Sequence, residues 1–259
     1  MKYVKEFATH AAYENYMSDN PVLPNVSYCD DEINDAHFNP YVVHALKFTA
    51  TGTSTLGMTN EGSNAPALEY SNDGINWSTW DYNTLNIANG QSVYIRGTNP
   101  DGISRSTTKY SYFTMTGSLA CSGNVMWLID YNTDLTTIPC NYCFYYLFRQ
   151  CTSLISAPEL SATTLAEGCY SDMFQSCTAL TAAPALPATT LASSCYSAMF
   201  RGCSNLSSIT MLATNISASN ALTNWVSGVA ASGTFKKKAD VSIPSGISGI
   251  PSGWTVVEV

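Results

Sequence analysis

The sequence predicts a mixed α+β chain of three parts: an extended N-terminal arm, a small β-sandwich and a C-terminal solenoid. Three observations predict it. Residues 1–40 combine prolines with acidic residues; residues 41–118 alternate apolar and polar positions around Gly-containing turns; and residues 119–259 repeat at a fixed interval. We therefore place domain boundaries at 40/41 and at 118/119.

The repeat is 26 residues long and is seen in "CFYYLFRQC" from residue 143, "CYSDMFQSC" from 169 and "CYSAMFRGC" from 195. A fixed period of this size is typical of leucine-rich-repeat solenoids, in which a degenerate last copy acts as a cap. Within a unit, the apolar spacing fits one stripe of a 3.6-residue helix, and the proline-containing "LTAAPALPATTL" after it favours an extended segment. Each unit is thus predicted to be a short helix followed by a short strand. We expect the repeated core to consist of Cys143, Cys151, Cys169, Cys177, Cys195, Cys203, Phe148, Phe174 and Phe200.

The repeated cysteines could be metal ligands, disulfide halves, redox groups or small apolar core residues. A zinc site needs clustered ligands, and only Cys140-x2-Cys143 has short spacing, with no second pair to complete it. Predicted neighbouring helices, with axes about 8–10 Å apart, would hold equivalent cysteines too far apart for a disulfide. We therefore expect reduced, buried thiols, no metal and no cofactor, and leave open a disulfide elsewhere.

The motif "CYSDMFQSCTALTAAPALPATTLA" resembles the BspA-like leucine-rich repeats of gut Bacteroides surface proteins and of phages that infect them. The resemblance covers residues 119–259 and implies adhesion or binding, since the family has no general catalytic motif. The arm, in "KEFATHAAYENYMSD" and "PNVSYCDDE", resembles the opening segment of gut-phage and Bacteroides proteins that carry different downstream modules. That likeness implies that residues 1–40 dock onto a larger assembly, such as other virion proteins.

The middle of the chain, residues 41–118, is predicted to form short strands. "ALEYSNDGINWSTW" and "LNIANGQSVYIRG" place strand-like runs around Asp73-Gly74 and Asn89-Gly90, and both predict hairpins of an immunoglobulin-like sandwich. Amphipathic aromatic residues stack well on sugar rings, which makes Trp77, Trp80 and Tyr82 candidate ligand-binding residues. Because Trp77 and Trp80 are three positions apart in a strand, they point to opposite faces, and one is expected in the core.

Composition and motifs argue against several classes of function. Only 12% of the residues are charged and the net charge is −8, which disfavours nucleic-acid binding. No apolar run is long enough to span a membrane, and the first residues lack the apolar core of a signal peptide. No nucleophile, metalloprotease or phosphate-loop motif occurs, so we expect no enzyme and no catalytic residues.

Two non-enzymatic functions remain. In the first, the chain is a structural component of a phage particle, of the head or tail fibre or decoration type, located on the virion surface. Its arm would dock, and its repeats would bind a host-surface protein or glycan. The alternative is a bacterial cell-surface adhesin of the BspA-like type. The absence of a signal peptide favours the first, and fibre-like appendages are usually symmetric homo-oligomers.

Overall fold

The computed structural model describes residues 26–27 and 42–259, which are built almost entirely of strands and turns. The chain divides into two units, Met1–His44 and Ala45–Val259. The predicted docking arm, residues 1–40, lies outside the described residues except for the first strand. The strands are β1 Val26–Ser27, β2 Val42–Val43, β3 Leu46–Ala50, β4 Ser54–Glu61, β5 Leu68–Ser71, β6 Ser78–Thr79, β7 Leu85–Ile87, β8 Ser92–Gly97, β9 Tyr110–Thr116, β10 Leu119–Ser122, β11 Leu154–Ser156, β12 Ser208–Met211, β13 Thr234–Lys237 and β14 Thr255–Glu258.

The strands form four sheets. In the first unit, β1 pairs with β2 in an antiparallel manner. In the second, one sheet has the order β11-β10-β3-β8-β5-β6, another has the order β7-β4-β9, and the third is the parallel sheet β12-β13-β14. Alternation along β3 buries Leu46, Phe48 and Ala50 on one face. Phe48 then contacts Phe113 of β9, with ring centroids 5.1 Å apart.

The two predicted hairpins have different outcomes. β5 and β6 do form an antiparallel hairpin around Asp73-Gly74. The Asp73 carboxylate accepts backbone hydrogen bonds from Ile75 and Asn76, which fixes the loop. The predicted Asn89-Gly90 hairpin is wrong, because β7 pairs with β4 whereas β8 pairs with β3 and β5. That turn connects two sheets.

The predicted mixed α+β class with a leucine-rich-repeat solenoid is also wrong. The described residues contain no α-helix, and their one helical element is the 3-10 turn Val125–Leu128. Where helices were expected, the chain forms a run of tight turns, here called turn segments, at residues 142–151, 168–177, 194–203 and 220–229. Within that described part of the chain, no helix could cross a bilayer.

The backbone of the turn segments explains why they are not helices. Every fourth residue has a positive φ, as at Tyr142, Tyr146 and Gln150 in the first segment. An L-residue in this left-handed region cannot continue a right-handed helix. The equivalent positions in the later segments are occupied by Gly168, Asp172 and Ser176; by Ser194, Ala198 and Gly202; and by Asn220, Asn224 and Gly228.

Backbone N–H groups in a turn segment alternate between two kinds of partner. The N–H of Leu147 donates to the carbonyl three residues back, at Phe144. The N–H of Phe148 instead donates to Met173, in the following segment. This alternation continues through the first three segments, so that every second N–H joins one repeat to the next. In an α-helix, these N–H groups would donate to carbonyls of the same helix.

Direct hydrogen bonding brings equivalent residues close together. The rings of Phe148 and Phe174 are stacked with centroids 5.4 Å apart, and those of Phe174 and Phe200 are 5.7 Å apart. Helices would require about 8–10 Å between their axes. The repeats are therefore spaced more closely than the predicted helices would allow.

The β region and the repeats do not form separate layers. β11, which lies in the repeat region, pairs in parallel with β10. The N–H of Phe113 in β9 donates to Leu147 of the first turn segment, just as one segment donates to the next. The sheets therefore continue into the repeats within the unit Ala45–Val259, and the predicted boundary at 118/119 falls inside it.

Glycine substitutions distinguish turn segments from helices. Ala198 lies at φ +49°, whereas Ala192, just before the same segment, is outside the left-handed region. We expect Ala198→Gly to leave the free energy of unfolding unchanged or to raise it by up to about 1 kcal/mol, because it removes backbone strain. Ala192→Gly should lower it by about 1 kcal/mol. Urea unfolding measures both, and equal losses of about 1 kcal/mol would indicate a helix instead.

Candidate functional site

The three aromatic residues predicted to bind a ligand are not brought together on the surface. Trp80 is 2% exposed, and its indole N–H donates to the carbonyl of Asn83 at 2.9 Å. Tyr82 is half-buried and donates its hydroxyl to Pro66 at 2.6 Å. Both side chains help to hold the β region together.

Trp77 is half-buried and is already stacked against a cation. The guanidinium carbon of Arg96 lies 3.8 Å from the Trp77 ring centroid and 4.0 Å from that of Tyr131. Arg96 also donates through Nε to Glu69 at 2.8 Å. Such a cation–π sandwich fixes one face of the indole, so Trp77 supports Arg96 and is not an open sugar platform.

A different cluster has the composition of a binding surface. It extends from β9 across the first three turn segments, and its side chains are mostly half-buried. We call it the tyrosine–arginine face. Its members are Tyr110, Tyr112, Tyr142, Tyr145, Tyr146, Arg149, Asp172, Gln175 and Arg201.

The tyrosines of the face contact one another through their rings. Tyr145 and Tyr146 are stacked with centroids 3.9 Å apart, and Tyr110 meets Tyr146 edge-on at 5.1 Å. Tyr142 meets Tyr145 edge-on at 6.0 Å. Burial raises the pKa of Tyr145 first of all, and the hydrogen bond with Tyr146 raises it further. The Tyr145 hydroxyl therefore stays neutral at physiological pH and can donate as well as accept hydrogen bonds.

A row of planar polar side chains lies beside the tyrosines. Arg149, Gln175 and Arg201 occupy equivalent positions in successive turn segments. The guanidinium of Arg149 lies over the Tyr146 ring at 4.4 Å. Its Nε–H is buried and has no acceptor, and the buried Oε1 of Gln175 has no donor. An unsatisfied buried polar group costs about 1–3 kcal/mol, so the face holds an unused donor and an unused acceptor on adjacent repeats.

Asp172 is the carboxylate of this row. It lies 3.4 Å from the guanidinium of Arg201 and accepts a hydrogen bond from Ser171 at 3.0 Å. Burial is the largest influence and raises the pKa of Asp172, although Ser171, Arg201 and Arg149 partly oppose it. The charge of Asp172 is therefore set by desolvation on one side, and by the Ser171 hydrogen bond and two guanidiniums on the other.

The six repeated cysteines lie beneath the face as two rows. All are buried and free, and Cys177 and Cys203 donate through sulfur to the carbonyls of Phe148 and Phe174, each at 3.0 Å. Burial raises the pKa of Cys195 and of Cys203 to about 12. Among the described residues, no group of three or more His, Cys, Asp or Glu side chains is placed to hold a metal.

The face was missed at the sequence level because its tyrosines come from two distant regions. A usable signal was present in "CFYYLFRQC", which has Tyr145 and Tyr146 where the next units have Ser171-Asp172 and Ser197-Ala198. Outward positions that depart from the repeat are free of the packing constraint that preserves the inward positions. Such departures are therefore candidates for a functional role.

Comparisons with known proteins give no relative for this arrangement: no family model, curated protein or solved structure matches the chain. The likeness to BspA-like repeats therefore stays a prediction from sequence.

The raised pKa of Asp172 predicts a pH-dependent stability difference. A folded-state pKa above the unfolded value means that ionisation favours the unfolded chain, so stability falls as the pH rises from about 3.9 through the folded pKa. Asp172→Asn should not show this pH-dependent loss of stability. Its free energy of unfolding, relative to the unaltered protein, should be greater at pH 7 than at pH 3.

The control for this measurement is Asp240→Asn, which changes an exposed carboxylate away from the face. Comparing urea unfolding at the two pH values removes any constant effect of the amide on the backbone. A difference that is the same at pH 3 and pH 7 would contradict a desolvated carboxylate at residue 172.

Proposed function

We propose that this chain is a non-enzymatic binding module that attaches to a glycan on a host-cell surface through the tyrosine–arginine face. The observation that carries the proposal concerns two adjacent repeats beside half-buried tyrosines. Arg149 has a donor without an acceptor, and Gln175 has an acceptor without a donor. A saccharide hydroxyl both donates and accepts, so one hydroxyl can satisfy both groups once the side chains turn outward.

The tyrosines supply the second requirement of such a site. A sugar ring has an apolar C–H face, and aromatic rings bury that face while their hydroxyls reach neighbouring polar groups. Tyr110 and Tyr146 stand edge to face, so their cluster is held in place before a ligand arrives. A rigid aromatic surface loses little conformational entropy on binding, which favours affinity.

The chemistry of the face favours binding over catalysis. Its titratable groups include one carboxylate, Asp172, with the guanidiniums of Arg149 and Arg201. Glycoside hydrolysis needs two carboxyl groups that face each other across the scissile bond. The nine residues of the face thus offer recognition groups with one carboxylate, and we propose binding and not acid–base catalysis.

We further propose that the module belongs to a phage particle, docked through residues 1–40. Two observations support this: the arm resembles the opening segment of gut-phage and Bacteroides proteins, and Met1–His44 separates from Ala45–Val259 as its own unit. A unit that packs by itself can be displayed by an arm that is bound to another protein. The alternative is a bacterial surface adhesin of the BspA-like type, for which the same face would serve.

Binding to host polysaccharide tests the face. We expect Tyr146→Ala and Arg149→Gln each to raise the dissociation constant for purified host-surface polysaccharide at least tenfold, about 1.4 kcal/mol, in calorimetric titration. The matched controls are Tyr94→Ala and Arg105→Gln, which lie outside the face and should bind as the unaltered protein does. Equal weakening by all four changes, or none by the first two, would refute the face as the site.

Deletion of residues 1–40 tests the docking proposal separately. The shortened chain should still unfold cooperatively and bind polysaccharide, because the face belongs to Ala45–Val259. It should no longer sediment with virions when added to a particle preparation that lacks the native protein. Recovery of the full chain in the outer-membrane fraction and not with virions would support the adhesin.

A further inference from the structure

The start of the first turn segment is flanked by a pair of cysteines that the other segments lack. Cys140 and Cys143 form a C-x-x-C pair, whereas the positions equivalent to Cys140 are Ala166, Ala192 and Ala218. The second cysteine of the pair continues a buried row, but the first is an addition to the repeat. Its packing role is met by alanine in the later units, so a second thiol here calls for another explanation.

The two thiols are neighbours in the fold. The Cys140 thiol donates to the carbonyl of Asp101 at 3.1 Å, and the Cys143 thiol is the largest influence on the pKa of Cys140. A Cβ built on Gly102 would lie 2.5 Å from the Cys140 sulfur and 3.3 Å from the Cys143 Cα, which places both cysteines around one point. Cys140 is partly exposed, whereas Cys143 is fully buried.

In the later units, the backbone at the equivalent position has the span that a disulfide needs. In the next two units, the equivalent turn is closed by hydrogen bonds from Cys169 to Ala166 and from Cys195 to Ala192. Turns of this kind bring the first and fourth Cα atoms within about 7 Å, and disulfides bridge Cα atoms about 4.4–6.8 Å apart. The geometry of the later units, together with the shared approach of Cys140 and Cys143 to Gly102, therefore favours a bridging distance in the first unit.

We propose that Cys140 and Cys143 are a redox modification site, at which a low-molecular-weight disulfide converts the two thiols into an intramolecular disulfide. The Cys140 thiolate attacks one sulfur of the small disulfide and releases one small thiol. Cys143 then attacks the Cys140 sulfur of the mixed disulfide and releases the second small thiol. The two protein thiols lose two electrons and two protons, and the small disulfide is reduced to two thiols.

The environment assigns the attacking role to Cys140. The Cys143 thiol has the largest effect and lowers the pKa of Cys140, and Arg105 lowers it further, although partial burial and the charge of Asp101 oppose both. Burial raises the pKa of Cys143. A lowered pKa together with exposure is the usual condition of a reactive cysteine, and the buried repeat cysteines meet neither requirement.

The bond would form around a member of the tyrosine–arginine face. The disulfide ring encloses Asn141 and Tyr142, and Tyr142 has a positive φ of 56° that the ring would hold. It would also remove the hydrogen bond from Cys140 to Asp101. The site does not depend on the proposed glycan binding, since it rests on the thiol geometry alone.

Oxidation of the folded full-length chain by glutathione disulfide tests the proposal. We expect the intact mass to fall by two hydrogens, and peptide mapping after blocking free thiols should place the bond between Cys140 and Cys143. Cys140→Ala, which installs the residue of the later units, should abolish the change, while Cys195→Ala should keep it. Dithiothreitol should restore the original mass.

Several results would overturn the proposal. A glutathione adduct that persists on Cys140 would show that Cys143 cannot reach it. A bridge from Cys140 to any cysteine other than Cys143, or no change in mass under conditions that oxidise an unfolded control, would do the same. Because mapping is done on the unaltered chain, the result does not depend on how the variants fold.

Discussion

The structure depends on how each turn segment divides its backbone donors. One N–H closes a turn within the repeat, and the next joins the following repeat, so that neighbouring repeats are linked by a ladder of direct hydrogen bonds. The ladder brings the Phe148, Phe174 and Phe200 rings to 5.4 and 5.7 Å, at interplanar angles of 9° and 6°. Offset-stacked aromatics and dry thiols then fill the interior, which needs no helix to bury it.

The same ladder organises the surface. Residues 26 positions apart become neighbours, so Arg149, Gln175 and Arg201 form a row although they are distant in sequence. Inward positions must repeat, because each side chain packs against its own equivalent in the next unit. Outward positions carry no such constraint and can diverge. Recognition chemistry can therefore be assembled on this backbone without disturbing the core.

The sequence predicts the structure correctly where burial determines the residue pattern, and incorrectly where backbone conformation determines it. The repeat interval, the burial of the repeated cysteines and phenylalanines, and the Asp73-Gly74 hairpin could all be read from the chain. The helices could not, because a stripe of residues four apart fits a helix and a four-residue turn almost equally well. A helix and a run of four-residue turns are distinguished by two features. They are the strict spacing of Cys143, Leu147 and Cys151, and Gly, Asn or Asp at many of the positive-φ positions.

The tyrosine–arginine face could not be predicted because Tyr110 reaches it from a strand more than thirty residues upstream.

Because backbone N–H groups are divided between turns and neighbouring repeats, the molecule can also be extended by further repeats. Each repeat offers the next the same set of free N–H groups, so duplication or loss of one whole 26-residue copy during evolution would leave every junction chemically unchanged. A lineage could lengthen or shorten its contact surface in steps of one rung, about 5 Å each. Its reach along a target could then be tuned by copy number, independently of the residues that give it specificity.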